Sequence, residues 1–313
     1  MEEISKNSKS ARCISPIILF VYNRFWHTYK TIEALKKNKL ANQSILFIYS
    51  DGAKSEKDNL EVQKVRNYIK SIKGFKLVKI VEREKNYGLA NNIINGVTEI
   101  INKHNKIIVM EDDIVTSPSY LSFMNQALNF YEREPKVWHI SGWNYPFEKK
   151  ESEDVFFWRL MNCWGWATWK DRWEFYERNP DKLIKEFTKN DIKEFNIYNA
   201  ENFWGQVVDN SKGKINTWAI FWYATIFKNN GLCLNPVNSM VNNIGHDSTG
   251  TNSSSTNIFE SKLSINYNIN YPHLIRESQV SIKSLINFNK KKSRLNRFIK
   301  KISLTFLNEH NSI

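Results

Sequence analysis

Three consecutive acids, Glu111, Asp112 and Asp113, follow directly on the apolar run Ile107-Ile108-Val109-Met110. Carboxylates crowded in this way repel one another and resist burial, so the triplet calls for a cation or a polar ligand beside it. Hard divalent cations such as Mg2+ or Mn2+ take oxygen ligands and keep several waters, so one or two carboxylates and a diphosphate complete their shell. That combination belongs to sugar-nucleotide chemistry, in which the metal offsets the charge developing on the leaving diphosphate. The plainer reading is a cluster favoured by the dipole of a helix starting just after it. It accounts for one or two acids and hardly for three.

Other apolar runs also end in groups suited to a ligand: Asn23-Arg24 after Pro16 to Tyr22, Asp51-Gly52 after Ile45 to Tyr49, and Asn86-Tyr87-Gly88 after Phe75 to Val81. An Arg can meet a phosphate or a base carbonyl, and an Asp can accept from the ring N–H of a pyrimidine. Singly each has an ordinary alternative, a turn for Asp51-Gly52 and a surface ion pair for Arg24. The elements that must position them alternate. Helical patterns at His27 to Asn38, Ser55 to Ile72 (with Asp58 as a capping-box-like acid) and Gly88 to Asn102 separate these strands and a fourth, Lys106 to Met110. Such alternation predicts a doubly wound, mainly parallel α/β sheet of Rossmann-like type, with ligand in the crevice outside the carboxyl ends of its strands.

Beyond the acids, Ser117-Pro118 predicts a helix to about Glu134, followed by a strand at Val137 to Ser141. From Trp143 the chain becomes aromatic and less periodic, with helices expected near Ala167 to Glu177, Pro180 to Thr188 and Trp218 to Asn229. A small-polar tract, Asp247 to Asn257, precedes the tail. The division expected is a flexible N-terminus (1–15), one α/β domain in two halves (16–145 and 146–270) and a helical tail (271–313).

The 313 residues, 41% hydrophobic and 14% aromatic, suffice for a sizeable core and exclude disorder throughout. No run approaches the roughly 18 apolar residues of a membrane span, and the polar start lacks a signal-peptide pattern, which makes the cytoplasm the expected location. Cys13, Cys163 and Cys233 lack C-x-x-C spacing, against both a disulfide framework and a zinc site. The net charge of +13 has much of its excess in the tail, at Lys290, Lys291, Lys292, Arg294, Arg297, Lys300 and Lys301. Interleaved Ile282, Leu285, Ile286, Phe288, Leu295, Phe298, Ile299, Ile302, Leu304 and Phe306 give that tail an apolar face. The pattern reads as a peripheral anchor on anionic lipid at the inner face of the cell membrane, or equally as a basic helix packed on its own domain. No nucleic-acid motif accompanies the charge.

The segments PIILFVYNR, YSDG, EKNYGLANNI and VMEDD, in that order, resemble the nucleotide-binding half of GT-A glycosyltransferases, with VMEDD in place of the D-x-D motif. SGWNYP, WGWATWKDRW, TWAIFWYATIFKNNGLCLNP and VNNIGHDSTGTN extend the likeness from Pro16 to about Asn252. It is strongest to bacterial family 2-like enzymes of surface polysaccharide synthesis and distant to N-acetylglucosaminyltransferase I. The resemblance implies a metal-dependent hexosyl- or N-acetylhexosaminyltransferase that moves sugar from a nucleotide sugar, a UDP-sugar in the first instance, to a saccharide or lipid-linked saccharide. It implies that Asn23, Arg24, Asp51 and Asn86 line the nucleotide pocket, that Asp113 binds Mn2+ or Mg2+, and that Glu111 and Asp112 lie near the ribose and diphosphate. Trp164, Gly165 and Trp166, with His246, would floor the sugar and acceptor pocket, since aromatic faces stack on a pyranose.

Two positions depart from the family: Phe221 stands where relatives often carry a basic residue, and Asn252 where they carry a His. Lys170, Arg172 or His246 are the groups available to replace the lost charge. An inverting transfer needs a carboxylate to take the acceptor proton. Asp247, in a polar loop, is favoured over Asp171, with Glu201 and Asp209 less constrained. A retaining mechanism stays open. The alternatives are a degenerate transferase acting as a binding or scaffold subunit, and a sugar-phosphate nucleotidyltransferase. The latter is disfavoured because YNRFWH carries no glycine where a phosphate loop would need it.

Overall fold

The computed structural model describes residues 14–147, 153–247 and 259–291. The first half is a set of parallel strands wound by helices: β1 (Ile17–Val21), α1 (Phe25–Lys36), β2 (Ile45–Ser50), α2 (Glu56–Lys70), β3 (Leu77–Glu82), α3 (Leu89–His104) and β4 (Lys106–Glu111). Their order in the sheet is β3-β2-β1-β4, all parallel. Every residue of β1 is buried because α1 and α2 cover one face and α3 the other, so the strand has no solvent side to mark with polar residues. The edge strand β3 alternates instead. On α3 the positions Ala90, Ile93, Val97, Ile100 and Ile101 form the apolar stripe that meets the sheet.

The second half continues the same sheet. In chain order it comprises β5 (Ile114–Thr116), α4 (Tyr120–Phe130), β6 (Val137–Ser141), β7 (Val155–Trp158), β8 (Trp166–Trp169), α5 (Lys170–Trp173), α6 (Pro180–Glu186), α7 (Lys189–Phe195), α8 (Phe203–Ser211), α9 (Ala219–Lys228), β9 (Leu232–Pro236) and β10 (Val241–Asn243). The eight-stranded order is β3-β2-β1-β4-β8-β6-β9-β7, with β8 antiparallel to both β4 and β6, and β7 antiparallel to β9. Strands β5 and β10 form a separate antiparallel ribbon. This is the expected α/β class, with a parallel first half and a less regular, aromatic second half.

One expected element is corrected. Ala167 to Glu177 is not one helix: Trp166–Trp169 is a strand, and only Lys170–Trp173 turns helically after it. The four strand residues are buried on both faces between β4 and β6, where aromatic and β-branched side chains fit a pleated surface. Around them Trp166 stacks on Trp218 (ring centroids 5.3 Å apart) and on His139 (5.4 Å), and Trp222 lies against Trp138 and Trp173.

Residues 279–291 are helical. Ile282 and Leu285 of that helix are buried in the core that α3 and α9 share, and Ile286 and Phe288 lie against it. The tail positions from Lys292 onward fall outside the described residues, as do Cys13 and Asn252. No helix among the described residues is long and apolar enough to cross a membrane.

Candidate active site at the carboxyl edge of the sheet

β1 and β4 are paired so that Phe20 lies opposite Glu111. The chain leaving β1 therefore passes the three acids. Arg24, the residue that opens α1, reaches across with Nη2 to Asp112 Oδ1 and, at 2.8 Å, to Asp113 Oδ2. Two turns further on, Thr31 Oγ1 donates to the backbone oxygen of Asp112 at 2.8 Å, which fixes the acid-bearing turn beneath α1. Burial first, and then the charges of Asp113 and Asp112, push the Glu111 carboxyl up to about 8 against the pull of Arg24. Asp112 is raised by burial to about 6, with Arg24 opposing. Among the described residues Arg24 is the guanidinium beside these three carboxyl groups, bonded to two of them, and that part of the site is short of positive charge.

The second wall is built on Asp51, at the end of β2. Its Oδ1 accepts from the backbone N–H of Gly52 (3.0 Å) and Tyr87 (2.9 Å), and its Oδ2 from Gly88 (3.0 Å). Asn86 Nδ2 donates back to the Gly52 oxygen at 2.7 Å. Asp51 and Asn86 thus bind the turns after β2 and β3 to each other. The turns approach so closely that a Cβ on Gly52 would lie 2.4 Å from the Lys85 carbonyl carbon. Asn23 points aside, with Nδ2 3.4 Å from Asp58 Oδ1 on α2.

The third wall comes from the far end of the chain. In the β5–β10 ribbon, Asn243 lies opposite Ile114, and the Ile244 N–H donates to the Asp113 oxygen at 2.9 Å. Gly245 follows directly over the Asp113 carboxylate, where a Cβ would stand 2.3 Å from Oδ2. Next to it, His246 packs edge-on against Trp164 at 5.2 Å, and among the described residues neither of its ring nitrogens has a hydrogen-bond partner. Asp247 then meets α1, with Oδ2 3.0 Å from His27 Nε2. Gly165, at φ +60°, makes the turn that carries Trp164 into this corner, a backbone conformation suited to glycine.

Not every expected residue arrives here. Because β8 runs antiparallel to β4, with Trp169 opposite Lys106, Asp171 emerges at the opposite edge of the sheet from the acids. There it pairs with Arg172, whose Nη2 donates to the backbone oxygens of Glu132 and Glu134. Lys170 lies at that same edge, its N–H bonded to the Asn105 oxygen. Neither cation reaches the crevice. Phe221 is itself wholly buried, with the Arg178 guanidinium 5.8 Å from its ring centre. Trp166 is fully buried within the sheet, so of the Trp-Gly-Trp group only Trp164 is in a position to face a ligand. Asp209 pairs with Lys214 at 3.8 Å.

Two participants carry no sequence signal. His27 sits on the helical repeat of α1 like any buried histidine, and Gly245 is one glycine in a polar stretch. The ribbon pairing brings Gly245 over the acids, whereas His27 arrives with α1, which Arg24 and Thr31 tie to the same turn.

No family model matches the chain, and no curated protein matches it. Among solved structures it is similar to the mannosyltransferase PcManGT from Pyrobaculum calidifontis, in complex with GDP-Man and Mn2+. That likeness is 9% identity over 68% of this chain and 69% of the other, with a TM-score of 0.39. It is also similar to TarS of S. aureus, at 13% identity over 46% of this chain and 24% of the other, with a TM-score of 0.31.

Proposed function

We propose that the protein is a metal-dependent glycosyltransferase that moves a hexosyl or N-acetylhexosaminyl group from a nucleotide sugar, a UDP-sugar in the first instance, to a saccharide or lipid-linked saccharide acceptor. The observation that carries this reading is the convergence of Arg24, the Asp51–Asn86 turn pair, Glu111 to Asp113, Trp164 and the Gly245–Asp247 segment on one sheet edge. That edge is where open α/β sheets bind ligands.

The donor set suits a hard divalent ion. Among the described residues no three His, Cys, Asp or Glu side chains form a ready cage. A hard cation that keeps waters and diphosphate oxygens needs only one or two protein carboxylates. Asp113 would hold Mn2+ or Mg2+, and the high carboxyl pKa of its neighbour Glu111 marks the deficit of positive charge that such an ion fills. The chemistry supplied on binding is neutralisation of the charge that develops on the leaving diphosphate.

The chain's own groups do the rest. Asp51 and Asn86 shape the nucleotide end, and Arg24 fixes Asp112 and Asp113 relative to α1. Trp164 and His246 offer ring faces to the sugar. Asp247, with 41% of its side chain exposed, takes the acceptor's hydroxyl proton in an inverting transfer. The reading puts the enzyme in bacterial surface polysaccharide synthesis, at the cytoplasmic face of the membrane, with the basic residues from Lys290 onward meeting anionic lipid, since Ile282 and Leu285 are taken up by the core.

Release of nucleoside diphosphate from a panel of sugar nucleotides, with and without Mn2+, tests the proposal. Metal-stimulated release from one donor, lost in Asp113→Ala, is the expected result. Failure to bind any sugar nucleotide, with or without metal, overturns it.

A further inference from the structure

We infer that His27 is the positioning residue for Asp247, holding that carboxylate at the mouth of the crevice in the orientation from which it takes the acceptor's proton. The inference rests on the reading of Asp247 as the base given above.

Exposure separates the two roles. Only 7% of the His27 side chain is exposed, against 41% for Asp247, so the carboxylate can touch an acceptor and the imidazole cannot. Asp247 lies in the turn that follows Gly245. His27 lies on α1, whose neighbours Arg24 and Thr31 are bonded to the acid-bearing turn, and Trp26 packs edge-on against its ring at 5.1 Å. The imidazole is thus fixed relative to the acids before Asp247 meets it. His27 Nε2 lies 3.0 Å from Asp247 Oδ2 and, among the described residues, has no hydrogen-bond partner, so that carboxylate is the described group placed to compensate its burial.

The same contact closes a ring. α1 holds the acids through Arg24, and the Asp113 backbone holds Ile244. The chain then turns over Asp113 at Gly245, and Asp247 returns to α1 at His27. A base held by such a ring keeps a fixed distance from the donor anchored at the acids, and misplacement of a reacting group by about 1 Å can cost about 100-fold in rate.

In the step served, the acceptor oxygen forms a bond to the anomeric carbon as the bond from that carbon to the diphosphate oxygen breaks. The leaving diphosphate keeps the electron pair, and the hydroxyl proton passes to the Asp247 carboxylate. His27 exchanges no proton with the substrate.

The test compares wild type, His27→Leu, His27→Gln, Asp247→Asn and the double variant His27→Leu/Asp247→Asn, using the sugar nucleotide and acceptor that wild type turns over. His27→Leu is expected to lower kcat about 10- to 100-fold with donor KM and calorimetric donor affinity within about twofold of wild type. His27→Gln, which keeps an N–H donor of similar reach, is expected to recover part of the loss. In the Asp247→Asn background, His27→Leu should cost nothing further, because there is no carboxylate left to position. Wild-type kcat in His27→Leu, or losses that multiply fully in the double variant, overturns the inference while leaving the transferase reading intact. A fall in donor affinity and melting temperature in both His27 variants, matching the fall in kcat, also overturns it, by making the residue merely structural. Absence of donor binding by wild type overturns the transferase reading itself.

Discussion

Asp51 Oδ2 accepts the backbone N–H of Gly88 at 3.0 Å, while Oδ1 of the same carboxylate takes Gly52 and Tyr87. One buried side chain therefore satisfies the amides of two turns that no β-ladder reaches. Hydrogen bonds to a charged group contribute about 1.5–3 kcal/mol each and overlap when they share an acceptor, so Asp51→Ala is expected to cost about 2–4 kcal/mol. Chemical denaturation measures this, and a loss under about 1 kcal/mol would show that water replaces the carboxylate. Asn86→Ala removes a single bond to Gly52 and should cost about 1 kcal/mol.

Glu111 gives the ligand-free protein a pH signature. Its folded-state carboxyl lies up at about 8, above the ordinary 4.5, so its contribution to stability is full below about pH 4.5 and is lost as pH rises through 8. Glu111→Gln has no proton to lose. The variant is expected to melt above wild type at pH 8.5 and close to it at pH 5, and added Mn2+ should narrow the gap at the higher pH. Equal melting temperatures at both values would contradict the assignment.

Gly245 passes so close to Asp113 that a methyl group there has no room. Overpacking of this kind typically costs about 1–3 kcal/mol, and here the atoms in the way are the Asp113 carboxylate and Arg24 Nη1, so either these site groups or the loop carrying His246 and Asp247 must shift. Gly245→Ala is expected to lower transfer at least about 10-fold with a small fall in melting temperature. Side-by-side turnover and thermal melts check it, and unchanged turnover would show that the loop has no catalytic part.

His139 predicts a second pH dependence of opposite sign. It is completely buried, with Nε2 3.0 Å from the Asn162 oxygen and Nδ1 accepting from Trp222 Nε1 at 3.2 Å. Burial pushes its pKa down to about 3, so its contribution to stability is full above about pH 6.5 and is lost as pH falls through 3. His139→Gln is expected to be less stable than wild type at pH 7 but to lose less stability between pH 7 and pH 4, as read from urea midpoints.

The legible part of the sequence is the part whose burial is uniform. β1 and β4 are covered on both faces and read as unbroken apolar runs, and the polar groups at their ends announce the crevice. β8 is equally buried, yet four residues with an alanine and two tryptophans fit a helical turn as well as a strand. Its direction then decides where Asp171 goes, and no spacing in the sequence encodes an antiparallel insertion beside β4. The three-residue strands β5 and β10 are too short to show any period, and it is their pairing that sets Asp247 against His27. The acids announce themselves locally, whereas the candidate base depends on a long-range contact.

The β5–β10 ribbon also bears on the order in which the protein is made and folded. Everything Arg24 and Asp51 need is supplied once β4 has left the ribosome, because β1 to β4 pair among themselves. β10 emerges only after the tryptophan-rich half has been synthesised, and closing so long a loop comes late in folding because its entropy must be met before its contacts form. A nascent chain can thus hold its acids clamped by Arg24 while no Gly245 covers them and no carboxylate stands opposite His27. Under the proposed function, the groups that grip a nucleotide come together before the carboxylate that takes the acceptor's proton.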